Sequence, residues 1–262
     1  MKAMQKAMIF KDIKEVTGSK QMLVPMIIVP AVMMLILPLA LVIGAKYGIS
    51  VINGLDYMVK ALGQQFSGLN NSQLLFEIGL NYMFPVFFLL IPIMAGSIIA
   101  AGSFVGEKEH KTLESLFYTP ISIRELFTAK VIGAAVPAYG VTLLSAVVFG
   151  VVINSGGWLY FGRLVFPGLK WLILIFWVSP AFTVLAITFM VLVSAKAKTF
   201  QEAQQTSILI ILPVLLLLVG QMSGLFVLNE AILGGIGAVV FWLDYILMKT
   251  AASRFIPEKL IE

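Results

Sequence analysis

Six stretches of almost purely apolar residues divide this chain, at 22–44, 82–105, 131–153, 171–193, 207–228 and 232–248. A helix needs about 20 such residues to cross the hydrocarbon of a bilayer. Most of the six exceed that length, and the last, the shortest, would borrow residues at either end. Backbone amides in lipid must be bonded within their own segment, so runs of this kind commit the chain to helices. Charged residues make up only 12% of the sequence, against about 25% in a soluble domain. Mean hydropathy is +1.01. The expectation is an all-α membrane protein with six transmembrane helices, organised as a single transmembrane domain over 1–262.

Charge gives the topology. Fourteen of the eighteen lysines and arginines fall in the segments on one side of the six spans: the N-terminus, 106–130, 194–199 and the C-terminus. Lys46, Lys60, Arg163 and Lys170 are on the other side. The positive-inside rule then places both termini in the cytoplasm. No small-residue cleavage site follows a short apolar segment, so the first run reads as a span and not a leader. There is no cysteine and one histidine, His110, which argues against disulfides, thiolate chemistry and a histidine-based metal centre.

Residues 1–21 form a basic helix candidate, with Ile9, Ile13 and Val16 on one face and Lys6, Lys11 and Lys14 around them. It fits an amphipathic helix in the headgroup layer, or a positive flank that only orients the first span. Eight of the eleven prolines sit inside spans, where each removes a helix hydrogen bond and invites a kink. The longest connection, 45–81, carries a helical stripe of Ile52, Leu55, Val59 and Leu62 and is read as an external loop lying partly on the outer surface. Trp158, Tyr160 and Phe161 read as an interfacial aromatic belt. Gly220 and Gly224 are a small-xxx-small pair suited to helix packing.

The most distinctive segment is the charged connection 106–130. Residues 107–118 favour helix, with Glu107/Lys111 and His110/Glu114 as i,i+4 pairs and Leu113, Leu116 and Phe117 as an apolar patch. Pro120 stops the helix and restricts Thr119. Ser122 and Glu125 form a capping box that restarts a helix running through Leu126 and Phe127 into the third span. Helix, hard turn and capped helix are continuous with two spans, so a force on the turn would reach both. The plain alternative is a solvated hairpin that holds the two spans apart.

Glu107, Lys108 and Glu109, then Thr112, Leu113 and Glu114, then Thr119, Pro120, Ile121 and Ser122 with Glu125 and Lys130 resemble the string that follows the second span in the ABC-2 family of ABC transporter permeases. Lys11 to Glu15 before a proline-containing first span, and Arg254 to Lys259 at the end, are similar to that family too. The resemblance implies a permease that pairs with a second, identical permease chain. Each chain would engage a cytoplasmic ABC ATPase, two copies in all. ATP and magnesium would be held by that partner, with no cofactor in this chain. Glu107, Lys108, Glu109, Thr112, Leu113, Glu114, Leu116, Phe117, Thr119 and Pro120 would form the coupling element, with the basic N-terminal helix as a connecting helix on the membrane. The second and fifth spans would line the path. In agreement, no G-x-x-x-x-G-K-[ST] string occurs; the nearest, Gly102 to Lys108, has the wrong spacing for a phosphate-wrapping loop. The chain is thus read as a non-enzymatic subunit of an ATP-driven exporter in the plasma membrane of a prokaryote, with no nucleic-acid partner.

Phe84, Phe87, Phe88 and Met94 in the second span, with Leu216 and Gln221 in the fifth, are the candidates for the path. Phe84, Phe87 and Phe88 share a stripe that would otherwise serve packing or lipid contact. So apolar a path suits an amphipathic peptide or a hydrophobic compound; export of sodium or of glycan or lipid is the alternative cargo reading. Asp244, the one carboxylate clearly within a span, is read first as a structural pairing residue and second as functional. Glu230, at the turn before the sixth span, is read as solvated, with an external gate as the alternative. A gradient-driven secondary transporter would want ionisable residues at mid-membrane, and only the off-centre Asp244 offers one. A non-transporting scaffold or immunity subunit leaves the 106–130 design without a purpose.

Overall fold

The computed structural model describes residues 10, 11, 14, 16, 18–46, 68–109, 123–223, 225 and 227–254. Six long apolar helices account for almost all of them: α1 (Lys20–Lys46), α2 (Asn71–Glu109), α3 (Ile123–Phe161), α4 (Leu169–Ser194), α5 (Phe200–Met222, broken at Ser207) and α6 (Glu230–Arg254). The even number puts both chain ends on one side, here termed the termini end. The six spans are those expected, but their limits move. Helix α2 begins at Asn71, well before the apolar run, because Asn70 and Gln73 form a reciprocal capping box: the Asn70 side chain accepts from the Gln73 amide at 2.8 Å, and the Gln73 side chain accepts from the Asn70 amide at 3.1 Å. Helix α6 takes residues at both ends and starts behind Asn229, whose side chain accepts from the Ile232 amide at 2.9 Å. Helix α3 starts at Ile123, where the restart was expected; Ser122 lies outside the described residues, as do Gly224 and the stripe from Ile52 to Leu62.

The span prolines act through one shared device. A π-helical turn ends two residues before a proline in three helices: Val32–Ile36 before Pro38, Gly79–Met83 before Pro85 and Leu174–Val178 before Pro180. In each, the residue just ahead of the proline (Leu37, Phe84 or Ser179) bonds the carbonyl five residues back. Proline has no N–H, and its ring crowds the carbonyl four residues earlier. Widening the helix by one residue moves that carbonyl aside. Side chains then serve the displaced carbonyls: Ser179 Oγ donates to Leu174 O at 2.8 Å and Tyr139 Oη to Ile175 O at 3.1 Å. Such local repair is how a membrane helix keeps a proline.

Helix α2 is the centre of the bundle. Its membrane window is 83% buried within the single chain, against 17% for α1 and 22% for α6, so most lipid or partner contact falls to the outer helices. At Gly96 a Cβ would lie 3.1 Å from the Thr183 carbonyl, so glycine permits the close approach of α2 to α4. Gly237 does the same for α6, lying under the Trp177 ring. Two large buried clusters result, beside a small one at Ile78 and Tyr82. One holds Val16, Met22, Phe104, Leu126 and Met190 toward the termini end; the other is rich in aromatics, with Phe84, Phe88, Phe149 and Trp171. Phe149 and Trp171 stack with ring centres 4.6 Å apart, Phe84 meets Phe149 at 5.3 Å and Phe88 meets Trp171 at 5.5 Å.

Candidate functional site

The helices converge at the termini end on a buried charge. Lys130, two turns into α3, has no exposed surface. Its ammonium bonds Glu107 Oε2, donates to the Ser103 carbonyl at 2.6 Å and lies 5.3 Å from the Phe104 ring centre. Glu107 is 2% exposed, and its second oxygen, Oε1, accepts from Lys11 Nζ at 2.8 Å. One carboxylate therefore joins the N-terminal helix, the end of α2 and the start of α3. A buried charge pair holds only when its remaining donors and acceptors are also bonded, and here Ser103 O and Lys11 supply that. Just ahead of Glu107, α2 passes through a fourth π turn, Ala101–Gly106, built largely of small residues and remote from any proline. Single π turns of this kind are frequent at functional sites.

Two residues further on, Glu109 Oε2 accepts the Phe200 amide at 2.8 Å, the first helical amide of α5. Thr199 caps the same helix by accepting from the Glu202 amide at 3.2 Å, and Glu202 accepts from the Lys198 amide at 2.8 Å. Carboxylates at a helix N-terminus satisfy orphan amides and oppose the helix dipole favourably. Glu107 and Glu109 thus fix the end of α2 to four neighbours: the N-terminal helix, α3, α5 and, through α5, the 194–200 connection. Between these elements opens a cavity of about 510 Å³ lined by Ser19, Gln21, Gly102, Gly106, Glu109 and Phe200.

This geometry changes the expectation for Glu107. Its oxygens are occupied inside the chain by Lys11 and Lys130, so it anchors the segment that follows. Lys108 is partly exposed and Glu109 exposed. Thr112, Leu113, Glu114, Leu116, Phe117, Thr119 and Pro120 lie outside the described residues. The sequence offers Lys11 as a headgroup-facing lysine of the N-terminal helix and Lys130 only as part of the motif; neither reads as a partner of Glu107. A single lysine at the edge of an apolar run, with a glutamate at the end of the preceding one, was the available signal.

The candidate path residues do not come together in one chain. Phe84 and Phe88 are buried in the aromatic core of the single chain, against Phe149 and Trp171. Phe87 and Met94 are partly buried, Leu216 is exposed on the outside of α5, and Gln221 is buried with neither amide atom bonded among the described residues. Asp244 is 3% exposed and sits on the α6 stripe Leu233, Gly237, Val240, Asp244. The expected pairing is not found: neither of its oxygens has a hydrogen bond among the described residues. Glu230 is exposed in the first turn of α6.

At the opposite end, Lys170 is buried and donates to the Asn81 carbonyl at 2.5 Å, 4.8 Å from the Tyr82 ring centre. Pro85 explains the acceptor. The residue at that position would otherwise bond Asn81 O in an α-helix, so the proline leaves this carbonyl to Lys170.

A six-span helical bundle whose second and third helices are clamped at the base of a charged connection defines a multi-pass membrane protein. The chain belongs to the ABC-2 family: the profile described as ABC-2 family transporter protein matches residues 7–253. No curated protein and no solved structure matches it. It is accordingly the membrane permease component of an ABC transporter, a family that works with a separate ATPase subunit.

Proposed function

We propose that this chain forms the translocation path of an ATP-driven exporter, paired with a second, identical permease, with both termini in the cytoplasm. The observation that carries the reading is the Glu107 junction. The segment 110–122 springs from two helices that one buried carboxylate locks together, so displacement of the segment moves α2 and α3 as a unit. Helix α2 is the most buried helix of the bundle, so such a displacement reaches the core. The excess of basic residues at the termini end supports a cytoplasmic placement of that end, where an ATPase is found. Leu113, Leu116 and Phe117 supply the apolar anchors of the docking element, and Lys108, Glu109 and Glu114 its polar rim.

The cargo is an amphipathic peptide or a hydrophobic compound. Apart from Gln221 and Asp244 the spans offer few polar groups not already bonded to their own helix: Thr142, Ser145, Thr183 and Thr188 all donate to carbonyls within their own helices. That arrangement gives little to a small hydrated ion. Purification of the tagged chain in mild detergent, with mass spectrometry of what co-elutes, tests the reading. A stoichiometric P-loop ATPase is expected. Repeated recovery of the intact chain without an ATPase would move a scaffold or gradient-driven role ahead.

A further inference from the structure

The end opposite the termini holds a second cavity, of about 440 Å³, walled by Glu77 and Asn81 of α2 and by Arg163, Leu164, Phe166 and Gly168 of the α3–α4 connection. Its wall is a built structure. Gly162 turns the chain at the end of α3 with φ +65°, a left-handed conformation that glycine adopts without strain. Asn154 then pins the connection: its Oδ1 accepts the amides of Val165 and Phe166, both at 3.0 Å, and its Nδ2 donates to Phe166 O at 2.9 Å.

Two opposite charges line this cavity without touching. Glu77 Oε2 accepts from Asn81 Nδ2 at 2.5 Å, and Oε1 has no hydrogen bond among the described residues. The Arg163 guanidinium has neither an ion pair nor a hydrogen bond among them. Arginine presents a planar fork suited to phosphate oxygens, and a carboxylate oxygen suits an ammonium. Leu164, which lines the cavity, is 69% exposed, and Trp158, Leu159 and Leu169, close to the lining residues in sequence, are between 57% and 67% exposed. A polar recess on a connection flanked in sequence by outward apolar residues, a tryptophan among them, belongs at the boundary between headgroups and acyl chains.

We propose that this cavity binds the headgroup of a zwitterionic aminophospholipid, with its phosphate on Arg163, its ammonium on Glu77 Oε1 and its acyl chains running along Leu164 and its exposed neighbours. Neither charge alone selects this ligand. Arg163 would take any phospholipid, and Glu77 discriminates against those whose headgroup carries no cation.

The test uses the purified chain in detergent, with lipid retention read by native mass spectrometry while phosphatidylethanolamine or phosphatidylglycerol is titrated in. Phosphatidylethanolamine is expected to bind the wild type roughly tenfold more tightly than phosphatidylglycerol, the scale of one charge-assisted contact. Glu77→Gln, which keeps an acceptor for Asn81, should erase that preference. Arg163→Gln should weaken both lipids by roughly tenfold, and Arg163→Lys by less. Arg163 is exposed on a loop, so these variants test binding without a burden on folding, and unchanged elution on gel filtration checks this. Equal retention of the two lipids by the wild type, or unchanged binding in both variants, overturns the proposal. Equally tight binding of soluble phosphoethanolamine would show a free phosphate ligand and overturn the assignment to a lipid.

Discussion

Lys130 and Glu107 form a fully buried ion pair between the start of α3 and the end of α2, on either side of the charged connection. The pair closes the base of that segment, and Lys11 adds the N-terminal helix to the same carboxylate.

Removing one partner of a buried pair leaves the other charged and unsatisfied, at a cost of about 3–5 kcal/mol. Lys130→Met and Glu107→Leu should each lower the thermal unfolding temperature of the detergent-solubilised chain. The double substitution should cost less than the two single effects added together, because no buried charge remains without its partner. Additive losses would mean that the two side chains do not interact.

Glu109 holds the first amide of α5. Glu109→Ala should cost about 1 kcal/mol, the usual scale for loss of a helix cap. Glu109→Gln, which keeps an acceptor oxygen, should restore most of it. Amide exchange at 200–203 is the measurement, and it should speed up in the alanine variant alone.

The link between Pro85 and Lys170 is testable by a double-mutant cycle. Lys170→Met leaves the part-buried Asn81 carbonyl without its lysine donor and should cost about 1–3 kcal/mol. With Pro85→Ala in place, an amide hydrogen at position 85 can serve that carbonyl, and Lys170→Met should then cost less. Equal costs in both backgrounds would show that the proline does not create the acceptor.

Asp244 lacks a hydrogen-bond partner among the described residues and lies on the face of α6 that packs inward. Buried polar groups without partners destabilise by about 1–3 kcal/mol. Asp244→Leu should therefore raise the unfolding temperature of the isolated chain while the protein still inserts. A lower temperature would reveal a partner for the carboxylate, in this chain or in a second copy.

The number and order of the spans were legible in the sequence because lipid leaves the backbone no alternative to helix once an apolar run is long enough. Helix limits were less so. The Asn70/Gln73 capping box stands in the sequence, but the polar residues after it mask the start of α2, and the segment reads as loop. Prolines signalled disturbance, yet the repeated π turn two residues ahead of Pro38, Pro85 and Pro180 depends on backbone geometry that periodicity does not encode. Glu107 is legible as part of a charged string, where it reads as a surface group. Its burial follows from Lys130 and Lys11, which approach it only in three dimensions. For the same reason Phe84 and Phe88 read as a stripe facing a path, whereas Phe149 and Trp171, distant in sequence, enclose them.

On the proposed function, the ATPase acts on the permease through the segment rooted at Glu107 and Lys130. A photo-crosslinking amino acid placed at Phe117 in the chain, expressed in its native membrane, tests this without knowledge of the cargo. Irradiation should join the chain to a P-loop ATPase from position 117 and should fail to do so from Trp158, at the opposite end. Capture of the ATPase from neither position, or from Trp158 alone, would contradict the claim.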